Sequence, residues 1–262
     1  MIHNNVSTHE YDTVTFIDFP TKKKSNKKQS RRVKRQQDAT AQQKGINIRR
    51  ISPITYNQEK AFESFNYNKN MLLHGVAGTG KTFISLYLAL KDTLDTRRDS
   101  QSVQIIRSVV PTRDMGFLPG NQKEKAKAYE EPYYSICNEL FGRGDAYDIL
   151  KQKKIIEFST TSFIRGLTFN NTTVIVDECQ NMSWHELDSV ITRLGENSRI
   201  VFCGDFRQSD FRHNEEKSGI HDFMKVIKTM NSFDFVEFDQ HDIVRSALVK
   251  EYIISKLELG MI

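Results

Sequence analysis

Gly75-Val76-Ala77-Gly78-Thr79-Gly80-Lys81-Thr82 is the stretch that decides the expected fold. It matches the phosphate-loop pattern G-x-x-x-x-G-K-S/T, between an apolar run at Met71–His74 and a helical pattern at Phe83–Lys91. The glycines would let backbone N–H groups point at phosphates, where the start of a helix adds positive potential. Lys81 would reach the β- and γ-phosphates, and the Thr82 hydroxyl would bind Mg²⁺. A plain glycine turn is the alternative, but it does not require Lys-Thr at its end.

Outward from this loop, short apolar runs alternate with longer helical patterns, which is typical of parallel strands joined by helices. A capping box at Ser183 and Glu186 predicts a helix start, and Gly195 is expected to end that helix in the left-handed conformation. A last helix is predicted over 246–259. We therefore predict an α/β domain over residues 51–262, with a mostly parallel sheet flanked by helices. The predicted strands are Met71–His74, Val103–Arg107, Ile155–Ser159, Thr173–Asp177, Arg199–Cys203 and Phe235–Phe238.

The first 50 residues are expected to form a basic, disordered tail, because apolar residues are scarce from Thr21 to Lys44. Thr13–Phe19 could form one short strand. The formal net charge of the chain is +5, yet nine cations with no acid among them lie between Lys22 and Arg35, so the remainder of the chain is mildly acidic. They predict sequence-independent binding of RNA or single-stranded DNA, and a merely solubilising tail is the alternative. These cations are Lys22, Lys23, Lys24, Lys27, Lys28, Arg31, Arg32, Lys34 and Arg35.

Two carboxylates, Asp177 and Glu178, follow the buried run Val174-Ile175-Val176. Ligands of parallel α/β sheets bind at this end of the strands. Asp177 would hold Mg²⁺, and Glu178 would polarise an attacking water, which favours hydrolysis over transfer to another acceptor. A solvated strand end with two incidental acids is the alternative.

Further polar residues are candidates for the same site. Asp205 ends the next strand, and Gln208 could orient the water; both could instead belong to an ordinary loop. Arg245 could neutralise transition-state charge, with Arg165 and Arg207 as competitors for that role and a salt bridge to Asp242 as the alternative. Gln58 could bond adenine, with Tyr56 stacking on the ring, unless Gln58 only follows a helix cap at Thr55.

Other features limit the cellular setting. The N-terminus has no apolar signal region, and no window approaches the roughly 18 apolar residues of a membrane helix. Three widely spaced cysteines predict no disulfide framework, so we expect a cytoplasmic protein without a membrane partner. The charged segment Gly116–Tyr134, with two prolines and two glycines, is read as a long surface insertion.

Taken in order, these motifs resemble the PhoH-like proteins, single RecA-type ATPases related to superfamily 1 helicases, from about Ser52 to Lys256. The resemblance implies ATP and Mg²⁺ as cofactors and RNA as a suspected substrate; it marks Gln58 for adenine and favours Arg245 as the arginine finger. Compact chains of this length are familiar from phages and bacteria. A phage origin would place the protein in the cytoplasm of the host. Cys179 and Phe206-Arg207 depart from the family pattern. The second departure puts in doubt the shape of the loop that begins at Gly204-Asp205. The matching motifs are Gly75–Thr82, Gly116–Gly120 with Glu124-Lys125, Phe163–Thr168, Val174–Asn181, Gly204-Asp205 with Gln208, Ser218-Gly219 and Asp242–Arg245.

A single RecA-like unit predicts that a neighbouring subunit completes the site. We therefore expect a homo-oligomer, with a hexameric ring favoured, in which Arg245 faces the ATP of the next subunit. The main functional prediction is an ATPase that acts as a helicase-like motor or remodeller on RNA or single-stranded DNA. A nucleotide-dependent switch that binds a protein partner and hydrolyses slowly is the alternative. A kinase is disfavoured, because no separate base for an acceptor is evident.

Overall fold

The computed structural model describes residues 47–95, 99–108, 122–206 and 222–261. Within them the α/β fold and the parallel sheet are confirmed. Six strands form one sheet in the order β3-β2-β4-β5-β1-β6, and every pairing is parallel. The strands are β1 (Asn70–Gly75), β2 (Ser102–Arg107), β3 (Ile156–Thr160), β4 (Thr172–Asp177), β5 (Arg199–Gly204) and β6 (Phe233–Phe238), so all six were predicted to within two residues.

Seven helices are present in the described residues. They are α1 (Tyr56–Asn66), α2 (Lys81–Leu94), α3 (Gln122–Phe141), α4 (Ala146–Gln152), α5 (Trp184–Ile191), α6 (222–228) and α7 (Ala247–Glu258). Apolar side chains cover both faces of the sheet, one set packing against α2, α3 and α4 and the other against α5 and α6. None of these helices is both long and apolar enough to cross a bilayer.

The order of the strands determines where the functional residues meet. β1, which leads into the phosphate loop, is separated from the acidic strand β4 by β5 alone. Because all strands run in the same direction, the ends of β1, β4 and β5 lie together at one edge of the sheet. The predicted phosphate loop, Asp177 and Asp205 therefore share that edge.

The capping box is confirmed at α5, where Ser183 and Glu186 bond each other's backbone N–H groups. The role expected of Gly195 is wrong. The helix ends at Ile191 with a right-handed cap at Thr192, and Gly195 does not have a positive φ. A Cβ on Gly195 would lie 2.0 Å from the side-chain oxygen of Asn170, so close approach is the reason for glycine here.

The reading of Gly116–Tyr134 as a surface insertion is wrong for its last part. From Gln122 the chain forms α3, a helix of 20 residues that contains Pro132. Tyr133 on this helix is completely buried and packs against Phe158 of β3, with 5.7 Å between the ring centroids. The many charged residues of this segment concealed a helix whose Tyr133, Cys137 and Leu140 join the core.

Several predictions lie outside the described residues. They concern the basic tail, the possible strand Thr13–Phe19, and residues Arg207 and Gln208. The three cysteines are buried free thiols, in agreement with the prediction of no disulfide framework. The domain boundary at residue 51 stays a prediction.

Candidate functional site

The phosphate loop has the backbone conformation that its glycines permit. Gly75, Gly78 and Gly80 have φ values of 121°, 78° and 84°, in the region that side-chain-bearing residues avoid. Gly75 also lies against the neighbouring strand, since a Cβ there would be 1.9 Å from the carbonyl oxygen of Phe238. Gly80 directly precedes α2, so the loop delivers the chain to a helix N-terminus, where phosphates bind readily.

Lys81 is held inside this loop. Its Nζ donates hydrogen bonds to the carbonyl oxygens of Gly75 and Val76, each at 2.8 Å. Burial lowers the pKa of Lys81, although Asp205 and the other acidic groups around it act in the opposite direction. The ammonium group is thus fixed at the centre of the loop, where it can reach phosphates bound there.

The carboxylate of Asp177 meets the loop through Thr82. The Thr82 hydroxyl donates to Oδ1 of Asp177 at 2.8 Å, and the hydroxyl of Tyr133 donates to Oδ2 at the same distance. Burial raises the pKa of Asp177, as does Glu178, and these effects outweigh the hydrogen bonds and the attraction of Arg107. A cation beside this carboxylate would relieve its unfavourable burial.

The two residues predicted to hold Mg²⁺ are therefore adjacent, and both offer hard oxygen ligands of the kind that Mg²⁺ prefers. Within the described ranges there is no cluster of three or more His, Cys, Asp or Glu side chains that could hold a metal. Mg²⁺ ions at nucleotide sites commonly bind protein groups at one or two points, while nucleotide phosphates supply other ligands. Thr82 and Asp177 fit such an ion.

Glu178 occupies a strained turn immediately after β4. Its φ and ψ of 51° and 42° are left-handed, which is uncommon for glutamate and is often found where function dictates the backbone. Gln180 donates to Glu178 Oε2 at 2.6 Å, while Gln180 Oε1 accepts from the backbone N–H of Asp205 at 3.0 Å. One amide therefore links the predicted catalytic carboxylate to the end of β5.

Arg245 lies at the phosphate loop of its own chain. A Cβ on Gly78 would be 3.0 Å from Cγ of Arg245, and the backbone N–H of Val244 donates to the Gly78 carbonyl at 3.0 Å. The alternative salt bridge with Asp242 does not form among the described residues. The Asp242 carboxylate instead accepts from Asn57 at 2.7 Å and from the backbone of Asp239. An arrangement with Arg245 at the next subunit's nucleotide stays a prediction.

Gln58 also borders the loop. Its Nε2 donates to the Thr79 carbonyl at 3.1 Å, and its Oε1 accepts from the Ile54 backbone N–H at 2.9 Å. Thr55 caps α1, as the alternative interpretation of Gln58 predicts, and its hydroxyl oxygen accepts a hydrogen bond from the Gln58 backbone N–H. Each end of the amide keeps one further hydrogen-bonding position, so the cap and an adenine contact are compatible. The ring of Tyr56 is exposed, with the ammonium of Lys60 4.3 Å from its centroid.

Among the described residues, Arg165 makes no hydrogen bond or ion pair with the phosphate loop or the acidic pair. It follows β3, which lies four strand spacings from β1, or roughly 19 Å at the usual distance between strands. The side chain is exposed on a loop whose Phe163 and Leu167 are exposed as well.

Three residues of the site were not assigned a role from the sequence: Tyr133, Gln180 and Arg107. Tyr133 lies 44 positions before Asp177, and no motif connects the two. Arg107 pairs in register with Asp177 across β2 and β4, and this could have been found by aligning the ends of the predicted strands. Gln180 follows the acidic pair closely, but its contact with Asp205 depends on the turn at Glu178.

Residues 50–256 match the sequence profile of the family described as PhoH-like protein. The chain belongs to the PhoH-like family. A PhoH-like protein of Synechocystis sp. is 32% identical over 200 residues, which cover 74% of this chain and 60% of that protein. A PhoH-like protein of Bacillus subtilis is 31% identical over 221 residues, which cover 83% and 66%. Protein PhoH of Escherichia coli K12 is 32% identical over 208 residues, which cover 76% and 57%. The chain thus spans about three-fifths of the length of these relatives.

Among solved structures, the PhoH-like chain is similar to helicase domains. The match to the Hef helicase domain of Pyrococcus furiosus covers 69% of this chain and 38% of the Hef chain, with 11% identity and a TM-score of 0.40. The match to unliganded Pif1 from Bacteroides sp. covers 75% of this chain and 43% of the Pif1 chain, with 15% identity and a TM-score of 0.35. The family match, the parallel sheet and the phosphate loop, rather than these structural likenesses, indicate a P-loop NTPase.

Proposed function

We propose that this PhoH-like chain hydrolyses ATP with Mg²⁺ and that single-stranded nucleic acid stimulates the reaction. The proposal of hydrolysis rests on one observation. Glu178 directly follows Asp177, whose Oδ1 lies 2.8 Å from the hydroxyl oxygen of Thr82. A phosphate loop alone binds nucleotide, whereas a carboxylate beside the metal ligands can accept the proton of an attacking water, which favours hydrolysis.

The residues have distinct tasks in this reaction. Lys81 and the loop N–H groups bind the β- and γ-phosphates, and Glu178 orients a water molecule toward the γ-phosphorus and takes up its proton. The new bond joins the water oxygen to phosphorus as the bond to the bridging oxygen breaks, and that oxygen leaves with ADP. Mg²⁺, when bound at Thr82 and Asp177, neutralises charge on the phosphates. Gln58 is assigned to adenine.

The nucleic acid is proposed from charge and from the family. The nine cations among residues 22–35 are a suitable contact for a phosphate backbone. We expect ATP turnover to rise when RNA or single-stranded DNA is added, and the stimulation to weaken as salt increases, because backbone contacts release counterions. Steady-state phosphate release with and without each polymer, at two salt concentrations, measures this. A chain lacking residues 1–46 is the control, and equal stimulation in both chains would show that the tail is not the contact.

Self-association is proposed from the exposed face of α7. Leu248, Tyr252 and Leu259 are spaced along one side of the helix and its end and are 75%, 64% and 69% exposed. The opposite side approaches the phosphate loop, where Ile253 lies 3.6 Å from a Cβ built on Gly78. A second copy bound to α7 would therefore stand beside the nucleotide, as the predicted ring requires. The same face would serve a different protein partner in the slow-switch alternative.

Arg245 is proposed to act on nucleotide bound to its own chain, since it lies over Gly78 of that chain. Arg245→Ala should lower kcat/KM for ATP about tenfold, the scale of one charge-assisted hydrogen bond. Mixing Arg245→Ala subunits with Glu178→Gln subunits distinguishes the two arrangements. If Arg245 serves its own site, no mixture regains activity. Recovery toward a substantial fraction of wild-type turnover would instead establish the arrangement between subunits.

A further inference from the structure

The carboxylate of Asp177 has a second hydrogen bond that the proposed reaction does not use. Both of its oxygens are hydrogen-bonded, Oδ1 by Thr82 and Oδ2 by Tyr133, each at 2.8 Å. Tyr133 is completely buried, and Asp177 is 4% exposed. One hydroxyl comes from α2, directly after the phosphate loop, and the other comes from α3. Together they fix the plane of a carboxylate that would otherwise be free to rotate.

Tyr133 is itself held firmly in place. Its ring packs against Phe158, with centroids 5.7 Å apart, and its hydroxyl interacts with the guanidinium of Arg107 as well as with Asp177. Arg107 is the register partner of Asp177 on the neighbouring strand, and its guanidinium lies 5.8 Å from the ring of Tyr129. Two aromatic residues of α3 thus contact this pair, Tyr133 at Asp177 and Tyr129 at Arg107.

We propose that Tyr133 is a positioning residue for the metal ligand Asp177, so that α3 and the Mg²⁺ site are energetically coupled. This rests on the proposed function, because it assumes that Asp177 holds Mg²⁺. The hydrogen bond to Oδ2 keeps Oδ1 directed toward Thr82, the other residue assigned to the ion. Groups that orient metal ligands in this way commonly contribute 10- to 100-fold to metal affinity.

The test compares nucleotide affinity with and without the metal. A fluorescent N-methylanthraniloyl-ADP is titrated in excess Mg²⁺ and in EDTA. The dissociation constant in EDTA divided by the dissociation constant in Mg²⁺ measures how strongly Mg²⁺ supports binding. Tyr133→Phe should reduce this ratio about tenfold and leave the affinity in EDTA unchanged. A ratio equal to that of the wild type in the folded variant would overturn the proposal.

The chain offers a matched control in Tyr147→Phe. Tyr147 is also completely buried, and its hydroxyl donates to a buried carboxylate, Glu130 of α3, at 2.7 Å. This variant removes the same chemical group from the same helix packing without touching Asp177. It should therefore lose stability but keep the wild-type ratio. An equal fall in the ratio for both variants would mean that general loosening of α3 is responsible, and the proposal would fail.

A second measurement uses the wild type, so that it does not depend on the folding of a variant. Coupling between two sites is reciprocal, and Mg²⁺ must then stabilise α3 as much as Tyr133 stabilises Mg²⁺. Amide hydrogen exchange over residues 127–141 should slow when Mg²⁺ is added to the ADP-bound protein. Absence of a Mg²⁺-specific effect there would overturn the coupling alone, whereas failure of the wild type to bind nucleotide would overturn the proposed function.

Discussion

Glu178→Gln is expected to slow ATP turnover by about 10²- to 10⁴-fold, the usual contribution of a positioned general base. Binding of ATP should stay within a factor of a few, because the substitution keeps the size of the side chain and the hydrogen bond that Gln180 donates. The phosphate loop and the Thr82–Asp177 pair are not altered. Single-turnover hydrolysis separates the chemical step from binding, and titration with a fluorescent ATP analogue measures the affinity.

Glu157→Gln provides the control for this experiment. Glu157 is an exposed carboxylate on β3 of the same sheet and lies away from the phosphate loop. Its substitution should leave both turnover and binding unchanged. If Glu178→Gln retained half of the wild-type rate, Glu178 would not be the base. If the wild-type rate were itself negligible, the slow-switch alternative would gain support.

Gly75→Ala is expected to destabilise the protein by about 2–5 kcal/mol and to abolish nucleotide binding. The left-handed backbone at φ 121° costs roughly 1–2 kcal/mol for alanine, and overpacking costs about 1–3 kcal/mol. The new Cβ would stand 1.9 Å from the Phe238 carbonyl oxygen, a backbone atom that cannot turn aside. That oxygen accepts a hydrogen bond from the Val76 N–H at 3.1 Å, so moving it would open the first turn of the phosphate loop.

Denaturant unfolding and nucleotide titration measure both effects. Gly166→Ala is the matched control, because Gly166 also has a positive φ, 81°, but has no atom within 4 Å of the added Cβ. It should cost only the conformational part, about 1–2 kcal/mol, and leave nucleotide binding intact. Equal destabilisation by the two substitutions would show that the contact with Phe238 has no energetic consequence.

The predictions that succeeded rest on local patterns. Each buried parallel strand has its own apolar run, and the cap of α5 depends on residues only three positions apart, so neither requires knowledge of the rest of the chain. Gly195 shows the limit of this reasoning. Glycine after a helix has two physical uses, a left-handed turn and close contact, and only the position of Asn170 distinguishes them.

The site was predictable only in part, for a related reason. The phosphate loop and the acidic pair are contiguous motifs whose chemistry is evident from their residues. Tyr133 reaches Asp177 from 44 residues earlier in the chain, and Arg245 reaches Gly78 from far after the loop. No spacing rule expresses either contact. α3 was obscured further, because a helix rich in charge was interpreted as an exposed insertion.

The position of β1 in the sheet has a consequence for synthesis of the protein. This strand, among the first made, hydrogen-bonds on one side to β5 and on the other to β6, among the last made. While the ribosome is still translating the region before residue 199, β1 has neither neighbour, and the apolar residues Met71, Leu72 and Leu73 have no sheet to enter. Pairings so distant along the chain slow folding and prolong exposure of such strands. We therefore expect the nascent chain to depend most on chaperone protection after β1 is made and before β6 is complete at Phe238.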